Sequence, residues 1–142
     1  MRLDVDGVAI ESRTFEVRAD PASSITLTQH KAREAFTSDV MELQTKVEAL
    51  ATDLRKRREA LGTATGEEVT RLQTIEQRLI GAAGRGGGRG GPQPVRQRLN
   101  GLITAFVGSG ARTGTLSAPT ETMRTTLAET KADLAAIEKE MK

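Results

Sequence analysis

The stretch Phe36-Thr37-Ser38-Asp39-Val40-Met41-Glu42-Leu43-Gln44-Thr45-Lys46-Val47-Glu48-Ala49-Leu50-Ala51-Thr52-Asp53-Leu54 decides how the rest of the chain is read. Phe36, Val40, Leu43, Val47, Leu50 and Leu54 recur at alternating steps of four and three, the spacing of a heptad seam on one helix face. Neither Gly nor Pro interrupts the chain from Ser24 to Leu61. The spacing therefore predicts one helix of about 36 residues, about 54 Å long. Ser24 or Thr26 supplies its N-cap. The basic run Arg55-Lys56-Arg57-Arg58 suits the negative end of its dipole, and Gly62 ends it.

Three further helices follow outward from this one. Thr65 and Glu68 have the spacing of a capping box, and Val69, Leu72, Ile75 or Glu76, and Leu79 give the face of a second helix that runs from Thr65 or Gly66 to Ile80. Residues 81–91, with Arg85 and Arg89 among glycines, form a linker too rich in Gly to order itself. A third helix opens near Pro94 with the stripe Val95, Leu99, Leu102, Ile103 and Phe106. After a loop from Gly108 to Gly114, Ser117 or Thr120 opens the last helix. Its seam runs Met123, Leu127, Thr130, Leu134, Ile137 and Met141, with Thr130 as the polar interruption.

Upstream of Pro21 the period changes from helix to strand. Leu3 and Val5 alternate with charged residues up to Asp6-Gly7, and Phe15, Val17 and Ala19 alternate with Glu16 and Arg18. Alternation on both sides of Asp-Gly predicts a β-hairpin, with a bulge near Ser12 and Arg13 and a stop at Asp20-Pro21. An isolated hairpin is marginal in water and its edges invite pairing. It must pack on the helices, pair with another chain, or belong to a larger sheet. The fold expected is mostly α: an antiparallel bundle of four helices, two long and two short, in residues 22–142, preceded by a hairpin in residues 1–21. The two long helices are expected to pair, bringing Leu43, Val47, Leu50 and Leu54 against Leu127, Leu134 and Ile137.

Composition agrees with thin amphipathic helices. Of 142 residues 37% are apolar and 28% charged, and the only aromatics are three Phe, so any core is aliphatic. The net charge of +2 gives little pull on nucleic acid or a membrane surface. With no Cys there is neither a disulfide nor a thiolate metal site. No apolar run approaches the length of a membrane span, and the N-terminal residues lack the apolar stretch of a signal peptide.

Residues able to do chemistry are scattered. His30 is the only His and has no second ligand at metal spacing. Ser109 sits in Gly108-Ser109-Gly110, not in a nucleophile elbow. Glu67 and Glu68 suit a helix start, and Glu129 and Asp133 suit an outer face; general acid–base work needs a buried carboxylate. Arg85-Gly-Gly-Gly-Arg89 resembles an RGG segment, but carries only two Arg and no aromatic, and no Gly-Lys-Ser/Thr follows it to make a phosphate loop. No cofactor is implied.

Two stretches together resemble a known family. Leu3-Asp4-Val5-Asp6-Gly7-Val8 and Thr14-Phe15-Glu16-Val17-Arg18-Ala19-Asp20-Pro21, followed by a long helix, are similar to the C-terminal region of bacterial sortilin-like BNR-repeat β-propeller proteins labelled glycosyl hydrolases. Leu72 to Leu79, the Gly/Arg loop, Val95 to Leu102 and Ala118-Pro119-Thr120 match the helical bundle of that region. The resemblance implies that residues 2–19 are the last hairpin of an Ig- or fibronectin-like sandwich, that Met1 is an internal methionine or reassigned start, and that the parent is secreted or periplasmic. It carries over no catalytic residue, since the propeller is absent.

The expectation is therefore a non-catalytic structural or protein-interaction module that binds a protein partner or its own copy through apolar helix seams and pairing at the hairpin edge. Its candidate contact residues are Leu3, Val5, Phe15 and Val17 on the hairpin and Arg55, Arg57, Arg58, Arg85 and Arg89 on the basic segments. The other reading is a nucleic-acid-binding protein that uses those arginines.

Overall fold

The computed structural model describes residues 2–5, 8–16, 18, 20, 24–62, 65–81, 92–110 and 112–141, with backbone alone for residues 2–5, 8–12 and 112. Among the described residues the chain is mostly helical, with four helices: α1 (Leu27–Leu61), α2 (Glu67–Leu79), α3 (Val95–Val107) and α4 (Glu121–Glu140). The remaining elements are short strands. β1 (Arg2–Val5) and β2 (Val8–Ser12) are antiparallel neighbours, as are β3 (Gly108–Ser109) and β4 (Arg112–Thr113).

Each helix begins where local chemistry allows. Thr26 caps α1: its side chain accepts from the backbone of Gln29 at 3.2 Å, while the Gln29 side chain accepts from the Thr26 backbone at 2.8 Å, a reciprocal capping box. Thr120 caps α4 with a single bond, its side chain accepting from the N–H of Met123. The box expected from Thr65 and Glu68 does not form; Gly66 is the N-cap of α2 and no side chain caps that end. Glu67 and Glu68 in the first turn still favour its dipole. Gly62, at φ 56°, ends α1 in a conformation that an L side chain rarely adopts.

The four apolar stripes close on one another. Phe36, Val40, Leu43, Val47 and Leu54 of α1, Leu72, Ile75 and Leu79 of α2, Val95, Leu99, Leu102 and Phe106 of α3, and Leu127, Leu134, Ile137 and Met141 of the last helix and its cap form one buried cluster. One seam position shifts: Ala51 is fully enclosed, whereas Leu50 is only partly buried and packs against the cluster's margin. A straight helix gains on a strict seven-residue repeat, and over 35 residues the buried stripe slides by one position.

Contacts between the helices give their directions. Along α1, Glu48 is ion-paired with Arg96, Gln44 donates to Asn100 at 2.9 Å, and Arg33 lies over the Phe106 ring at 5.5 Å. The numbers fall on one helix as they rise on the other, so α3 runs against α1. At the far end of α1, Arg58 pairs with Glu76 of α2. Lys131 of α4 pairs with Asp39 at 2.8 Å, while Arg57, further along α1, donates to the Met141 carbonyl at 2.6 Å. Here the numbers rise together, so the two longest helices run in the same direction. Each is antiparallel to α3, and they are not antiparallel neighbours of one another.

α2 and α3 follow each other down the same side of α1. A Cβ built on Gly81 would lie 3.1 Å from Cγ of Pro94, so the two ends of the Gly-rich segment meet. α1, the α2–α3 column and α4 thus form three columns around one core.

β1 and β2 stand apart from this core. They contact each other extensively, and neither makes substantial contact with a helix among the described residues. β2 stops at Ser12, so Phe15 lies outside any strand, and Val17 falls outside the described residues. The irregularity expected near Ser12 and Arg13 is found earlier: Leu3 faces Glu11 and Asp4 faces Ala9, which leaves Ile10 as the extra residue of β2. The Asp6-Gly7 turn lies outside the described residues.

Candidate functional site

The basic end of α1 is built by a helix that stops in the open. Arg55, Arg57 and Arg58 are all exposed residues, but they are used differently. Arg57 pairs with Asp53 one turn back at 3.0 Å as well as reaching Met141. Arg58 is bonded to Glu76. Among the described residues only Arg55 of these three is left without an ion pair. It lines a shallow hollow with Arg58, Glu59, Leu61, Gly62 and Val69 at the α1–α2 corner. The sequence groups the three by adjacency; the structure divides them, because neighbouring helical positions point 100° apart. Arg85 and Arg89 lie outside the described residues, so no surface joining them to Arg55 is described.

A second basic cluster has no signature in the sequence. Arg57 from α1 and Arg71 and Arg78 from α2 converge on the end of α4. Arg71 donates to the Glu140 carbonyl, and Arg78 binds both oxygens of the Glu140 carboxylate at 2.7 and 2.8 Å. Cations at a helix C-terminus offset its dipole and bond its orphaned carbonyls. Arg71 and Arg78 are seven positions apart and so share one face, which was readable; their target, more than 60 residues away, was not.

The grooves between helices are crossed by polar pairs. An opening of about 500 Å³ between α1 and α3 has Met41, Gln44, Glu48, Arg96, Leu99 and Asn100 in its lining, where Gln44 bonds Asn100 and Arg96 bonds Glu48. On the other side of α3, Arg98 bonds Asp133 at 2.5 Å. In the α1–α4 groove, Glu42 beside Lys46 raises the lysine's pKa above its ordinary value through a hydrogen bond and charge, with Glu138 adding to it.

Residues considered for chemistry are dispersed. Half-buried His30 is in the first turns of α1, while exposed Ser109 is in β3, and no hydrogen bond joins them. Glu129 is exposed; Asp133, one turn on, is engaged with Arg98. Among the described residues no group of three His, Asp or Glu could hold a metal ion. No helix among them is long and apolar enough to cross a membrane.

The β1–β2 ribbon remains. Leu3 and Val5 fall within β1, opposite Glu11 and Val8. Phe15, just beyond the ribbon, is 66% exposed. Comparison with protein-family models, with curated proteins and with solved structures finds no match in any of the three.

Proposed function

We propose that this chain is a non-catalytic structural or protein-interaction module: a helical bundle carrying an N-terminal hairpin that meets a protein partner. The observation that carries this reading is the ribbon's isolation. Among the described residues its two strands pair only with each other and make no substantial contact with a helix, whereas two strands alone are marginal in water. The helix seams point the same way, since they are filled from within the chain. Partner contact therefore falls to the ribbon edges, at Leu3 and Val5, and to the exposed Phe15 beside them.

The resemblance to the C-terminal helical tail of extracytoplasmic BNR-repeat propeller proteins supports the same reading. In that setting the ribbon closes a sheet contributed by a neighbouring domain, and the bundle is a spacer or contact surface. The crossed polar pairs in the grooves favour a scaffold over an enzyme.

Removing residues 2–12 tests this reading. A scaffold with a presented ribbon keeps its helical circular dichroism and melts within about 2 °C of the full chain, because no core contact is lost. If helicity falls or melting drops sharply, the ribbon belongs to the core and the reading fails. The nucleic-acid reading rests on Arg55 with Arg85 and Arg89. It requires binding to single-stranded RNA or DNA that weakens steeply with salt, and its absence at low ionic strength removes that reading.

A further inference from the structure

The two edges of the β1–β2 ribbon are not equivalent. β2 carries the extra residue Ile10 and is bent there, and a bulge of this kind blunts an edge against further pairing. β1 runs from Arg2 to Val5 without an insertion. Its outer side faces no third strand among the described residues. Only two residues separate Val5 from Val8, the spacing at which the closing pair of an antiparallel ribbon exchanges hydrogen bonds. Alternation along β1 then directs the backbone N–H and C=O of Asp4 and of Arg2 outward, and those of Leu3 inward.

The order of charges along β1 is self-complementary. Turned end for end, Arg2-Leu3-Asp4 reads Asp4-Leu3-Arg2, so an antiparallel pairing of β1 with its own copy, centred on Leu3, sets each Arg2 opposite an Asp4 and Leu3 opposite Leu3. This is also the register in which the outward-directed backbone groups meet, since Arg2 and Asp4 become the hydrogen-bonded pairs and Leu3 the close, non-bonded one. The β2 edge has no such order: Val8 to Ser12 contains one charge, Glu11, and no cation to oppose it.

Resting on the reading of the ribbon as a contact edge, we infer that the partner at β1 is a second copy of this chain, joined edge to edge about a two-fold axis through Leu3 into a four-stranded sheet. An isologous contact of this kind closes after two copies and leaves the bent β2 edges outermost. With three opposed residue pairs it is a weak, concentration-dependent dimer.

The test uses the full chain and two charge reversals. In sedimentation velocity over a concentration series, the wild type moves from monomer to dimer. Arg2→Asp places Asp opposite Asp, and Asp4→Arg places Arg opposite Arg, so each variant alone self-associates about tenfold more weakly than the wild type. Mixed in equal amounts, the two variants oppose Asp to Arg at both positions and recover the dimer. Helical circular dichroism of both variants confirms that the bundle is intact. A wild type monomeric at every concentration overturns the inference, as does a dimer indifferent to the reversals or variants that do not recover on mixing. None of these outcomes touches the module reading, which turns on whether the bundle survives loss of residues 2–12.

Discussion

Gly114 shows how little room the chain has where it turns from α3 into α4. A Cβ at this position would fall 1.8 Å from the carbonyl oxygen of Phe106, and the next residue, Thr115, donates to the Ala105 carbonyl at 3.1 Å. The backbone after β4 is thus laid directly on the end of α3. Gly114→Ala must push two backbones apart, and is expected to cost about 1–3 kcal/mol in urea denaturation. Ala at Gly101, where no atom lies within 4 Å, should be neutral or slightly stabilising. Nothing in Thr113-Gly114-Thr115 distinguishes this glycine from the other loop glycines, because the atom it must avoid belongs to a helix that ended seven residues earlier. Thr130 is the opposite case. Its place in the α4 seam is plain from spacing, and its hydroxyl donates to the Thr126 carbonyl at 2.6 Å while the side chain is wholly enclosed. A hydroxyl satisfied within its own helix can sit among leucines without a partner from another element.

Among the elements, α1 was the most legible and the second strand of the ribbon the least. Six positions at steps of four and three mark α1, and five of the six are buried. The sixth, Leu50, gives way to Ala51 because the stripe drifts, so truncation should discriminate between neighbours. Leu54→Ala, at a fully enclosed site, is expected to cost about 2–5 kcal/mol, and Leu50→Ala about 1 kcal/mol. Equal losses in chemical denaturation would show that the strict heptad was the better description. The expected bounds of α2, Thr65 or Gly66 to Ile80, agree with its caps, but the capping box of Thr65 and Glu68 fails, because a box also needs the cap residue itself at the helix boundary. The boundary falls one residue later, at Gly66. The ribbon was legible as alternation around Asp6-Gly7, but its second strand was read to Ala19, past the end of β2 at Ser12. Phe15-Glu16-Val17-Arg18 alternates as a strand does, yet alternation alone cannot supply a neighbour to pair with; residues 13–16 have no strand beside them.

At the scale of the whole molecule, direction was the least accessible property. Short connections imply antiparallel neighbours, and that holds where α3 turns into α4. It does not hold across the Gly-rich segment, where the chain leaves α2 and enters α3 on the same side of α1, still travelling the same way. The order of helices around the core follows from this one choice, and no periodicity encodes it. The contact between Gly81 and Pro94 has a further consequence. Since the excursion leaves and returns at one point, its length sets no helix position, and each doubling costs about 0.6 kcal/mol in closure entropy. Doubling residues 82–91 with glycine and serine should therefore lower stability by no more than about 1 kcal/mol in urea denaturation, and a larger loss would mean that the segment itself holds the columns in place. Mechanically, the bundle has a port in its wall: a passenger peptide, a cleavage sequence or new chain termini can be installed there, and the three columns would carry it without being re-registered.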